Sequence, residues 1–152
     1  MRTEFFDMEW EQNPENGRRF DNAEELLEFI EALHSRNPFF FELRGENGYM
    51  LNIGIGQLLN AVQLCLGNGD PPYLLAVAPG SPERLPGGDR NPYSAAAKAD
   101  DKAGVKAPEF LCGGTATPVP TRYCVTNDVM KQIAAYFLET GKRSPDVFWE
   151  EI

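Results

Sequence analysis

Apolar residues fall along the chain in two periods, and each predicts a different kind of element. Within residues 3–11, Phe5, Met8 and Trp10 alternate loosely with acids, which predicts a strand. Asn13-Pro14-Glu15-Asn16-Gly17 is a turn by composition. The spacing then lengthens. Leu26, Leu27, Phe29, Ile30 and Leu33 give one broad apolar face of a helix. Asn22 supplies its cap, and Glu25 stands three residues on, as in a capping box. Asp21, Glu24 and Glu25 lie at the positive end of the helix dipole. Pro38 disfavours helical geometry in the residue before it, so the helix is predicted to end between His34 and Asn37.

Alternation returns at residues 39–44, a predicted strand rich in phenylalanine. Gly45-Glu46-Asn47-Gly48 is a hairpin turn, and residues 49–55 are its partner, with Leu51, Ile53 and Ile55 on one face. Residues 58–66 fit helix or strand by periodicity alone. The turn signal Gly67-Asn68-Gly69-Asp70 and the apolar residues 73–77 after it favour strand, which makes an antiparallel meander.

Residues 79–108 differ in kind. They hold five prolines and four glycines, and only Leu85, Tyr93 and Val105 are sizeable apolar side chains. So little apolar area offsets ordering entropy poorly, which predicts a long irregular loop with a helical turn at residues 94–99. Order resumes with a short edge strand at Phe110-Leu111 and a strand over residues 120–125. Thr126 or Asn127 caps a second helix whose apolar positions run from Val129 to Leu138. Gly141 suits a left-handed helix end, and residues 147–149 form a last short strand. The expected fold is α+β: one domain over residues 1–152, an antiparallel meandering sheet with two helices packed on it, and the loop at about 79–108.

Composition narrows the classes of function. The 152 residues include ten Phe, five Tyr and two Trp, enough large rings to fill a core. No apolar run approaches the roughly 20 residues a spanning helix needs, so no membrane partner is expected. Twenty-three acids against 14 Lys and Arg leave a net charge of −9, the wrong sign for displacing counterions from nucleic acid. That balance suits a basic partner, or simply solubility. The first 34 residues are the densest part, with ten acids against three bases. The start lacks the apolar stretch of a signal peptide, and Cys65, Cys112 and Cys124 make no disulfide framework. Both point to the cytoplasm.

Catalytic residue types are scarce. His34 is the lone histidine, placed where it meets the negative end of a helix dipole. Eleven residues separate Cys112 from Cys124, without a CxxC pair, so neither a zinc site nor a Cys–His nucleophile is expected. Gly54-Ile55-Gly56 starts like a dinucleotide fingerprint, but position 59 is Leu. No cofactor and no metal are expected. The deficit favours a binding protein over an enzyme.

The most specific stretch is Ala134-Ala135-Tyr136-Phe137-Leu138-Glu139-Thr140-Gly141-Lys142-Arg143-Ser144-Pro145-Asp146-Val147-Phe148-Trp149-Glu150-Glu151. It resembles the ending of immunity family one of bacterial polymorphic toxin systems. There a helix closes on Phe-Leu and Gly-Arg/Lys-x-Pro, and a Trp and an acidic pair follow. Leu51-Asn52-Ile53-Gly54-Ile55-Gly56 is similar to that family's centre, and the helix after Asn22 to its start. Residues 79–108 have no counterpart. The motif reads as structure: Phe137 and Leu138 in the core, Gly141 at the turn, Pro145 stopping the helix, Trp149 packed on the sheet. The resemblance implies a cytoplasmic antidote that occludes the active site of a cognate toxin, a nucleic-acid deaminase above all. The deaminases' own H-x-E and P-C-x-x-C signature is missing, so the chain reads as the inhibitor.

Exposed acids and loop aromatics are the candidate contacts: Glu11, Glu15, Asp70, Tyr73, Asp89 and Tyr93. Tyr73 or Tyr93 replaced by alanine is expected to cost more than about 1 kcal/mol of binding. Two other readings compete. A small carboxylate-dependent enzyme would turn over substrate, and an adaptor or chaperone for a secreted effector would bind without inhibiting.

Overall fold

A computed structural model of the chain describes residues 2–82 and 91–152. Strand β1 (Thr3–Asp7) buries Thr3, Phe5 and Asp7 on one side. It is shorter than the predicted 3–11 segment, because Asp7 turns the chain: its carboxylate accepts from the backbone N–H groups of Glu9 and Trp10. A two-residue strand β2 (Arg19–Phe20) pairs with β1. Helix α1 (Ala23–Leu33) starts where Asn22 accepts from the Glu25 N–H at 3.1 Å, and buries Leu26, Ile30 and Leu33.

Strands β3 (Phe39–Gly45), β4 (Tyr49–Ile55), β5 (Leu59–Leu66) and β6 (Leu74–Ala76) pair antiparallel in succession, the predicted meander. Period-two alternation sends Phe41, Leu43, Leu51, Ile53, Val62 and Leu64 to one face. Gly54 on the other face leaves room for two rings: a Cβ there would meet Phe40 and Phe110 at 2.9 Å.

Residues 79–108 contain more order than the expected helical turn. Helix α2 (Pro92–Ala103) is capped by Asn91, which accepts from Tyr93 and Ser94, and ends at the left-handed Gly104. Its inward residues are small, and only Ala96 and Asp100 are buried. A count of large apolar side chains therefore misses it, while alanine propensity and capping support it. Strands β7 (Glu109–Cys112) and β8 (Thr115–Pro118) form a hairpin around Gly113 and Gly114, both with positive φ. The predicted strand at 120–125 is instead a 3-10 turn, Thr121–Tyr123, followed by β9 (Cys124–Thr126). The turn is held because the Asp100 carboxylate accepts from both the backbone N–H and the hydroxyl of Thr121.

Helix α3 (Asn127–Thr140) starts at the Thr126 cap and ends at Gly141 with φ 72°. Three residues separate Gly141 from Pro145, so the glycine ends the helix rather than the proline. Strand β10 (Trp149–Glu151) pairs with β6, two residues later than predicted. The sheet runs β10-β6-β5-β4-β3-β1-β2, with β9 on β5 and β7 beside β3. The α+β expectation stands, with a third helix. α1 and α3 cover one face, where Phe137 and Leu138 lie in the main core. α2, the 3-10 turn and the β7–β8 hairpin partly cover the other, around Phe110, Tyr123 and Val119. Among the described residues no helix is long and apolar enough to cross a membrane.

Candidate interaction surface

The strand register separates the candidate contacts. Asp7, Phe39 and Ile55 lie at one end of the sheet, and Gly45, Tyr49 and Leu66 at the other. Glu11 and Glu15 follow β1 at the first end, both exposed. Asp70 belongs to the turn at the second end, where the Gly67 N–H donates to the Gly48 carbonyl. The Tyr73 hydroxyl folds back to donate to the Gly69 carbonyl at 2.5 Å. Tyr93 sits on α2, over the opposite sheet face. Its ring stacks on Tyr123 at 5.7 Å, and its hydroxyl donates to the Pro118 carbonyl. Asp89 lies outside the described residues. The five described candidates thus occupy three places: Glu11 and Glu15 in the loop after β1, Asp70 and Tyr73 in the loop between β5 and β6, and Tyr93 on α2.

That loop carries a residue the sequence pattern hid. Trp10 reads as a strand position, yet it is 50% exposed at the head of the 8–17 loop. The loop is built on Asp7, whose side chain is fully buried. One carboxylate oxygen accepts from the Glu9 and Trp10 N–H groups, and the other from Asn13 Nδ2 at 2.9 Å and Arg36 Nη1 at 2.5 Å. Asn16 accepts from the Asp7 N–H and donates to the Glu11 carbonyl. The Asn-Pro turn that predicted a loop also holds its signal, because Asn13 and Asn16 close it from inside. Trp10 is presented by a preorganised frame among Glu9, Glu11 and Glu15, and no lysine or arginine occurs from Thr3 to Gly17.

Burial pushes the Asp7 carboxyl upward. The Arg36 guanidinium, the Trp10 N–H, Asn13 and the Glu9 N–H together outweigh it and hold the group below its ordinary range. Its contribution is therefore present above the unfolded carboxylate value of about 3.9 and is lost as pH falls through the lower folded value. Asp7→Asn is expected to cost about 2 kcal/mol at neutral pH, as for hydrogen bonds to charged groups. Urea unfolding at neutral pH and below about pH 4 checks this, because the gap between the two proteins should narrow in acid.

Beside the loop, the sheet's second face holds a cavity of about 230 Å³. Phe40, Asn52 and Gln63 form its floor, and Met8, Tyr93 and Thr117 stand around it. The two features touch: the Gly113 N–H donates to the Met8 carbonyl, and the Gly114 N–H to Glu9 Oε2.

The remaining sequence candidates are occupied in packing. His34 Nδ1 lies 2.8 Å from the Gly56 carbonyl, tying the end of α1 to the β4–β5 turn. Burial raises all three thiols, Cys124 to about 12, so none is primed as a thiolate near neutral pH. The C-terminal motif is a lock. Trp149 Nε1 donates to the Ser144 carbonyl, the buried Ser144 hydroxyl to Gln132 on α3, and Asn47 to the Gly141 carbonyl. Pro145 is exposed between them.

A search of curated proteins finds no match. A family model described as Immunity protein Imm1 matches residues 15–151. That span takes in α1, the meander, α3 and the whole C-terminal lock, the same parts that carry the resemblance seen in the sequence. With most of its length so matched, this chain belongs to the Imm1 family of immunity proteins, and its role is immunity against a toxin.

Proposed function

We propose that the chain neutralises a single cognate toxin domain of a polymorphic toxin system, a basic nucleic-acid deaminase, by covering its active-site cleft. The observation that carries this reading is Trp10, half exposed in an acidic loop where its backbone N–H is held by Asp7. An exposed tryptophan on a preorganised support is the kind of anchor that dominates protein interfaces. The carboxylates around it complement a cleft built to grip a polyanion, and raise the association rate by steering. Glu11 and Glu15 take part as its acidic surround, with Glu15 already paired to Arg18 at 3.2 Å. Trp10 and Glu11 also precede the matched residues, so the contact belongs to a part of the chain that the family model does not describe. The antidote acts in the cytoplasm as a stoichiometric inhibitor, with no cofactor and no contact of its own with nucleic acid.

The test is a titration of the purified toxin domain with the full chain. A one-to-one end point, loss of single-stranded DNA or RNA deamination, and competition with the oligonucleotide are expected. Affinity should fall about tenfold or more between about 50 and about 300 mM salt. A complex that still binds and deaminates the oligonucleotide would overturn occlusion, and a toxin that releases no deaminated base would overturn the substrate class.

A further inference from the structure

We infer that the cavity on the second sheet face is a receiving pocket for one cationic side chain, a lysine or arginine of the toxin. The inference rests on the proposed pairing with a basic toxin. The space is too small for a drug-sized ligand, which needs roughly 300 Å³ or more, and suits one extended side chain. Its chemistry is mixed in a particular way. Met8, Phe40 and Tyr93 offer apolar and aromatic surface on which the methylenes of a long cationic side chain can lie.

A polar row crosses this apolar floor. Glu42, Asn52 and Gln63 are directly opposite one another on β3, β4 and β5, so their side chains share the face. Among the described residues, Asn52 Oδ1 is buried without a hydrogen-bond partner. An amide left so in an apolar setting is costly, and an incoming donor removes that cost. Two carboxylates lie near the pocket, one of them within the row itself. The Glu42 side chain is only 14% exposed, and Glu9 braces the hairpin turn beside the pocket. Their field is felt locally: after burial, Glu9 is the influence that raises the Cys112 thiol, and Glu42 acts likewise on Cys65. Negative potential, unpaired amide chemistry and apolar walls together select a cation on an aliphatic stem over a neutral side chain. Arg44 already pairs with Glu42 at 2.8 Å from outside the pocket, so Glu42 is shared rather than newly neutralised.

The full-length chain is titrated with N-acetyl-lysine methylamide and, separately, with its neutral counterpart N-acetyl-norleucine methylamide. The side-chain amide resonances of Asn52 and Gln63 are followed by NMR. Saturable shifts at millimolar lysine derivative are expected, with the norleucine derivative about tenfold weaker or more. Ala61→Leu, which fills the floor, and Thr117→Leu, which narrows the wall, should each abolish them. Thr117 is half-exposed on β8, so that variant keeps the readout if Ala61→Leu disturbs the core. Equal response to the two compounds, or no saturable response, overturns the inference. Thr117→Leu should also weaken toxin binding about tenfold, and unchanged binding there overturns use of the pocket by the toxin. The small-molecule arm needs no toxin, so it fails or succeeds independently of the deaminase reading.

Discussion

Trp10→Ala is expected to weaken toxin binding by about 2 kcal/mol or more, roughly thirtyfold in Kd, while leaving unfolding within about 0.5 kcal/mol of the parent. The two halves of that expectation come from the same geometry. The ring is half exposed and outside both core clusters, so its removal opens no cavity in the fold. What holds the loop is the Trp10 backbone N–H on Asp7, which alanine keeps. The binding loss is therefore a loss of anchor, not of frame. Trp10→Phe should recover part of the affinity by restoring ring area. Glu11→Gln and Glu15→Gln should act mainly on the association rate and its salt dependence, as rim charges do. Calorimetric titration with the toxin domain gives Kd for all four variants, and stopped-flow association at low and high salt gives the rates for the two glutamate variants. An unchanged Kd for Trp10→Ala would place the interface elsewhere on the molecule.

Arg122→Met should cost about 3–5 kcal/mol of stability, the range for removing one partner of a buried ion pair. Arg122 is 5% exposed on the 3-10 turn, and its guanidinium reaches Glu150 on β10 at 3.1 Å and the Pro82 carbonyl at 2.5 Å. The Tyr123 hydroxyl donates to the same carboxylate at 2.5 Å. Burial pushes the Glu150 carboxyl up, and the hydrogen bonds from Arg122 and Tyr123 outweigh it and hold the group below its ordinary range. Burial and that carboxylate raise the Tyr123 phenol in turn. Without the guanidinium, Glu150 is left half-buried beside a phenol, and β10 loses its tie to the 3-10 turn. The penalty should shrink as pH falls, because an unpaired Glu150 then protonates. Arg122→Met combined with Glu150→Leu should regain much of the loss, since apolar replacements of a whole buried pair are often neutral or better. Denaturant unfolding of the single and double variants separates the outcomes. A loss below about 1 kcal/mol for Arg122→Met would show the pair to be solvent-screened, as surface pairs are.

The Asn22 cap and the 3.6-residue spacing of α1, the Thr126 cap and Gly141 end of α3, and the alternation of β3 and β4 were legible in the sequence, while β5 and β6 were read from the turn signal between them. In each, a large apolar area repeats at the element's own period, and local chemistry marks its ends. The family resemblance rested on the same segments, because the C-terminal lock is made between neighbours in the chain: Trp149 with Ser144, and Ser144 with Gln132.

Other features depended on partners far away in sequence. α2 buries only Ala96 and Asp100, so its apolar pattern is faint, and Asp100 acts through Thr121, 21 residues on. The end of β1 looked like strand because Met8 and Trp10 continue the alternation, while Asp7 turns the chain with help from Arg36, 29 residues away. That turn takes Trp10 out of the predicted strand and leaves it half exposed. Glu11 and Glu15 were recognisable as exposed acids by type alone, but their distance from Asp70 and Tyr73 is set by strand register. The row of Glu42, Asn52 and Gln63 is likewise a product of pairing three strands. Sequence by itself determined which segments bury area and what charge the molecule carries, because both are local sums. Only the tertiary structure decided which side chains share a face, since that follows from register and long-range hydrogen bonds that no single segment contains.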